Sequence, residues 1–233
     1  MWWRGWALGV LVAATMPGTG LANDAPASDG LPDIESAVLA EINWARAHPQ
    51  DYARELRAYR DSFVGDVAYP DEAPMGVSSR EGPRAVDEAA DFMDRQAPLP
   101  PLTPSRTLAM GAALLVDDQS VGGGIGHVTR AGLSPSDRVR MRGGDVYVAE
   151  VISYGNPDPR TLVRNLIIDD GVPRRGHRAL IFTALYRYAG AACGPHPVHG
   201  AMCAIDMGST PTGAPRLPGS AEPVAAMSVA APR

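Results

Sequence analysis

Apolar residues recur at helical spacing through the first part of this chain, and runs with the short, branched character of strands come only late, from Val146 onward. That order constrains the fold more than any other feature. Helices that come first need an apolar surface to cover, and a late antiparallel hairpin supplies one. The chain therefore predicts an α+β layered domain over residues 31–208, with helices packed on a small, mainly antiparallel sheet.

The element signals are local and physical. Asp33 is placed to cap a helix whose Ile34, Ala37, Val38, Ile42 and Ala45 share one face. That helix should break at His48, where Pro49 can open a second one burying Tyr52, Leu56, Tyr59 and Phe63. Trp44 and Tyr52 read as core rather than as ligand-stacking groups. Residues 64–82 have no sustained period and contain Pro70 and Pro74, which reads as a long surface loop or a lid. Pro83 opens a helix with Val86, Ala89, Ala90 and Met93 inward. Thr103 and Pro104 read as cap and first residue of the next, which continues through Leu108, Ala112, Leu115 and Gln119. Ser134 and Asp137 have capping-box spacing, and Asp158-Pro159 caps a helix that runs toward Ile168. Strands are expected at residues 146–153, 186–193 and 201–207. The Pro/Ala/Ser-rich residues 209–233 carry too little large apolar surface to fold and read as a disordered tail.

Composition narrows the function classes. The formal net charge is −5 and all 21 basic residues are arginine, so no positive field favours nucleic acid. Residues 1–22 carry Arg4 as their one charge, continue through an apolar run, and end in Gly20-Leu21-Ala22, the pattern of a secretory signal peptide cut after Ala22. The apolar run is shorter than the roughly 20 residues a spanning helix requires, which predicts export without a transmembrane anchor, to the periplasm or beyond. Residues 23–30 then form a small, polar, disordered leader. Cys193 and Cys203 flank the segment GPHPVHGAM, which reads as a hairpin loop, and an oxidising compartment favours a disulfide between them. The alternatives are two buried thiols, or thiols sharing a metal with His196 and His199.

Chemistry gathers around NLIIDDGVPRRGHR, residues 165–178. It reads as the end of an apolar helix closed by Asp169 and Asp170, stopped by Gly171, and followed by a proline turn and His177. Two earlier residues are candidates to join it: His127, isolated in GGGIGHV, and Glu150, a lone acid in VYVAEVI. An acid in an apolar strand needs a partner, and glycine-flanked histidines sit where side chains reach a shared opening. His127, Glu150 and His177 are thus expected to converge in one cleft, with Asp169 or Asp170 beside them. Such a set suits Zn²⁺ or a similar divalent ion, with His127, His177, Glu150 and Asp170 as candidate ligands and open positions left to water. Without a metal, a carboxylate can orient an imidazole and leave its other nitrogen free to move a proton. The structural alternatives are a satisfied core His127, Glu150 paired with Arg138 or Arg142, acids that only cap a loop, a solvated face of Arg174, Arg175 and Arg178, and exposed His196 and His199. No GxSxG or HExxH accompanies the set, and the glycines at 122–126 lack the lysine and hydroxyl of a phosphate loop.

In this order the segments EINWARAHPQDYA, EGPRAVDEAADFM, PLTPSRTLAMGAA, GHVTRAGLSPSDR, AEVISYG, LIIDDGVPRRGHR and GAACGPH with MCAIDMG resemble the CAP superfamily of cysteine-rich secretory and pathogenesis-related proteins, in its bacterial branch. The resemblance implies an α-β-α sandwich whose central cleft holds two histidines and two acids, in some members with a divalent metal. His127, Glu150 and His177 match three of those places. The second acid falls nearest Asp169, with Asp170 as its substitute. AEVIS departs from the GENI-like segment usual before the strand acid. Three functions follow as expectations: a module whose cleft binds a small-molecule, lipid or cell-envelope ligand, with or without zinc; a peptidase-like hydrolase using metal-bound or histidine-activated water; or a structural envelope protein. Fold alone does not choose among them.

Overall fold

The structure is a computed structural model that describes residues 33–213 apart from Val146 and Asn156. The expected signal peptide, the leader and residues 214–233 lie outside the described residues. Among those described, no helix is long and apolar enough to cross a membrane.

The first helices form where their caps predict. Asp33 accepts a hydrogen bond from Ser36 N at 2.7 Å and starts α1 (Ile34–Ala47); the chain breaks at His48, and Pro49 opens α2 (Pro49–Arg60). Residues 64–82 are not a featureless loop. They hold most of a small antiparallel meander of β1 (Phe63–Val64), β2 (Val67–Ala68) and β3 (Val77–Ser78), whose first turn is made by Gly65 at φ 63°. Strands of two residues are too short for a period to register in the sequence. The α3 helix (Pro83–Arg95) follows and packs along α2.

The next helix starts two residues later than expected. Thr103 and Pro104 form a strand, β4 (Thr103–Pro104), because the N–H groups of Thr103 and Ser105 donate to the carbonyls of Arg187 and Ala189 at 2.7 Å each. Ser105 is the cap instead, its hydroxyl accepting from Leu108 N, and α4 (Arg106–Gly122) begins there. Ser134 and Asp137 close the expected capping box on α5 (Pro135–Met141). Then come β5 (Ala149–Tyr154) and α6 (Pro159–Ile168), which Asp158 caps through Thr161 N. The stop of α6 is Asp169 itself, in the left-handed region at φ 58°, rather than Gly171. A turn at Pro173–Arg175 leads into the short α7 (Gly176–Ile181).

The last two strands, β6 (Tyr188–His196) and β7 (Gly200–Gly208), are longer than their apolar runs. Most of the expected hairpin loop is therefore strand, and the turn is confined to residues 197–199. Cys193 and Cys203 stand directly opposite each other and are joined by a disulfide with their alpha carbons 4.1 Å apart. The chain also stays folded past Gly208. Ser105 Oγ donates to Pro211 O at 2.5 Å, Asp145 N to Thr212 O at 2.6 Å, and Thr210 pairs with Gly213. Hydrogen bonds from the backbone and from side chains, not apolar surface, hold residues 209–213, so composition gave no sign of it.

The main sheet has the order β4-β6-β7-β5, with β4 parallel to β6 and the other pairs antiparallel. Its register sorts the two faces. Ile152, Ala204, Ala192 and Met202 alternate onto one face, against Ala112, Leu115 and Val116 of α4. Val151, Ile205, Ala191 and Met207 take the other, in a larger core shared with α1, α6 and α7. Helices on both faces make the α-β-α sandwich.

Gly190 sets how closely α4 lies on the sheet. A Cβ at Gly190 would fall 2.0 Å from Ala109 N and 2.6 Å from both Leu108 C and Ser105 O, all of them backbone. No rotamer change can relieve that contact. Gly190→Ala should therefore destabilise the fold by roughly 3 kcal/mol, at the upper end of overpacking costs, whereas Gly124→Ala, where a Cβ meets nothing within 4 Å, should leave the urea midpoint nearly unchanged. Equal midpoints for the two variants would contradict the packing described.

Candidate functional site

His127 stands on the loop between α4 and α5, and polar groups from four elements pin that loop. Gln119 Nε2 donates to Gly126 O at 2.7 Å, and Tyr154 Oη accepts from Gly126 N while donating to Gln119 Oε1, both at 2.8 Å. His196 is not an exposed hairpin residue. It is buried, its Nε2 donating to Gly124 O at 2.9 Å while its Nδ1 accepts from the N–H groups of Val198 and His199. Of the two hairpin histidines, His199 is the exposed one. Arg138 Nη1 holds the carbonyl of His127 itself at 2.7 Å.

The ring of His127 meets the strand acid. Its Nδ1 lies 2.9 Å from Glu150 Oε1, and the other oxygen of Glu150 is paired with Arg138 Nη2. Arg138 and Glu150 are both fully buried as side chains, while His127 keeps 11% of its side chain exposed. Of the two arginines weighed as structural partners for Glu150, Arg138 is the one that serves.

Asp206 is a member of this group that sequence reasoning missed. It lies opposite Glu150 in the β5–β7 register, is fully buried, and finds no hydrogen-bond donor for either oxygen among the described residues. Burial and then the charge of Glu150 push its carboxyl well above the usual carboxylate range, against the opposing pull of Arg138. The signal was present: Asp206 interrupts the apolar run AIDMG as Glu150 interrupts VAEVI.

The second imidazole is held by a different device. Because Asp169 caps α6 in the left-handed region, its side chain turns back toward α7. Asp169 Oδ1 meets His177 Nδ1 at 2.6 Å, and Oδ2 accepts from His177 N at 2.8 Å. Asp170 faces away, accepting from the N–H groups of Arg80 and Glu81 at 2.6 and 3.0 Å, so Asp169 is the acid of this site and Asp170 is not. Nor do the arginines form a solvated face. Arg175 bridges Glu81 and Glu88, Arg178 is buried against Glu88 and Ile167 O, and only Arg174 stands exposed. Hydrogen bonds from Arg175 and from Gly171 N hold the Glu81 carboxyl down at about 2.

The four predicted residues are thus assembled as two imidazole–carboxylate pairs. Among the described residues, no group of three or more His, Cys, Asp or Glu is arranged to hold a metal ion. Glu150 and Asp169 are engaged as partners of the rings, and Asp170 caps a loop, which leaves the two Nε2 atoms as the donors a metal could use. A carboxylate only accepts, so in each neutral ring Nδ1 carries the proton and Nε2 presents a lone pair. Both α5, which follows the His127 loop, and α7, which holds His177 in its first turn, pack on β5.

Asp206 generates a pH-dependent prediction. A carboxyl whose folded value is raised gives full stability below its ordinary value near 3.8 and loses it as pH rises, because folding must then supply a proton. Asp206→Asn keeps the shape without that requirement. The variant should exceed the parent in urea midpoint at pH 8, and the difference should shrink toward pH 4. A variant less stable at both pH values would show that the acid itself is needed.

No protein-family model matches the chain, and no curated protein matches it. Among solved structures it is similar to an extracellular protein containing an SCP domain from Bacillus anthracis, at 13% identity over 54% of this chain and 38% of that one, with a TM-score of 0.38. It is also similar to an outer surface protein of Borrelia burgdorferi, at 13% identity over 62% of this chain and 97% of that one, with a TM-score of 0.40. Both superpositions are partial and carry no functional argument. The chain's own layers and sheet order make it an α-β-α sandwich.

Proposed function

We propose that this is an exported module that presents the Nε2 atoms of His127 and His177 to a bound small-molecule, lipid or cell-envelope ligand. The observation that carries the reading is the anchoring of each Nδ1 on a buried carboxylate, at 2.9 Å for His127 and 2.6 Å for His177. An imidazole serving only the core would have both nitrogens engaged, as His196 does. The signal-peptide pattern at residues 1–22 and the Cys193–Cys203 disulfide support export to an oxidising compartment.

The pairs also support a second reading, a hydrolase in which one Nε2 takes a proton from water. A ring held in one tautomer by a carboxylate is oriented for that step, and the same carboxylate stabilises the imidazolium that results. Zinc, when bound, would be held by His127 and His177 through Nε2, with Glu150 and Asp169 fixing the rings from behind, and would supply Lewis-acid polarisation of a ligand oxygen.

Calorimetric zinc titration of the secreted protein tests the reading. The expected result is one site whose affinity falls about tenfold or more in both His127→Ala and His177→Ala, and falls as pH drops through the imidazole range, because only neutral histidine coordinates. Binding unchanged in both variants would place any metal elsewhere. Loss in only one would mean that the pairs act separately. Casein hydrolysis abolished in the same variants would select the hydrolase.

A further inference from the structure

A cavity away from both imidazoles lies beside the 171–179 segment. It has a volume of about 660 Å³ and opens between α3 and the 171–179 segment, with Phe92, Val172 and Pro173 supplying apolar wall. That volume is within the usual range for sites that hold a small molecule. Five charged side chains line it: Glu81, Glu88, Arg174, Arg175 and Arg178.

Four of these five charges satisfy one another. Glu81 takes both terminal nitrogens of Arg175, at 2.6 and 2.7 Å, and also Gly171 N at 2.7 Å. Glu88 takes Arg175 through one oxygen and Arg178 through the other, at 2.6 Å each. No carboxylate oxygen is left to attract a cation. The surplus is one positive charge on Arg174, whose exposed side chain has no hydrogen-bond or ion-pair partner among the described residues. Arg174 is also held at φ 61°, a left-handed conformation that suits glycine and that the chain maintains here with an arginine. The side chain is what such a choice retains.

We propose that this cavity binds a small amphipathic monoanion, with a carboxylate on the Arg174 guanidinium and an apolar body against Phe92, Val172 and Pro173. A planar guanidinium fork matches a carboxylate in two parallel hydrogen bonds. The single surplus charge favours one negative charge over two, since a dianion would face Glu81 and Glu88 without compensation. This site is separate from the imidazole pairs and does not depend on what they do.

The test uses the secreted protein with N-acetylphenylalanine, its amide, and acetate as probes, followed by calorimetry and by amide shifts in NMR. N-acetylphenylalanine should bind at least tenfold more tightly than either the uncharged amide or the apolar-free acetate, and should shift the Val172 and Arg174 signals. Arg174→Gln should lose that preference. Arg174→Gly should lose it too while its thermal midpoint holds or rises, because glycine relieves the left-handed backbone; this separates the guanidinium from the fold. Equal binding of acid and amide, binding unchanged in Arg174→Gln, or no binding of any probe at millimolar concentration would each overturn the proposal.

Discussion

The buried ion pair between Arg138 and Glu150 is the interaction on which the site depends. Both side chains are fully out of water, where an unpaired charge costs several kcal/mol, so neither can be left without the other. Arg138 does more than neutralise. Its remaining donors reach Gly111 O in α4, Leu133 O before α5 and the carbonyl of His127, so one guanidinium ties two helices, a loop and β5 together. The imidazole it positions then bonds the carboxylate it neutralises. A closed ring of contacts follows, in which the place of His127 is fixed by charge and not by apolar packing.

The second pair reaches a similar end by backbone strain. Asp169, Arg174 and Arg175 are the non-glycine residues with positive φ among those described, and all precede His177 by eight positions or fewer. Asp169 in the left-handed region ends α6 and points its carboxylate at the start of α7. Arg175 is held by Glu81 and Glu88, which clamp the turn that follows. Strained residues persist where surrounding contacts over-determine them, and here those contacts are charge-assisted hydrogen bonds.

Much of this was legible in the sequence for reasons that can be named. Caps at Asp33, Ser134 and Asp158, and proline at the head of α2 and α3, act within a few residues, so local spacing reveals them. The disulfide and the pairing of Glu150 with an arginine follow from compartment and from the cost of burying charge. What was hidden depends on contacts distant in sequence. Thr103 became strand because β6 lies beside it, residues 209–213 fold because Ser105 and Asp145 bond them, and His196 is buried because Gly124 accepts its proton. Asp206 needed the register of β7 against β5 before its place opposite Glu150 could be known. The chemistry of the residues themselves suggested one cleft and the resemblance matched the same positions; in the structure they lie as two imidazole–carboxylate pairs, with Asp169 beside His177 and Asp170 on the N–H groups of Arg80 and Glu81.

The central claim is that His127 and His177 each keep the proton on Nδ1 and leave Nε2 free. Nitrogen-15 NMR of the histidine rings above neutral pH measures this directly, since protonated and bare ring nitrogens resonate far apart. The account predicts the Nδ1–H tautomer for His127 and His177 and the opposite, Nε2–H, for His196, whose Nδ1 accepts two backbone donors. An Nε2–H tautomer at His127 or His177 would mean that its carboxylate does not hold the ring, and would contradict the account.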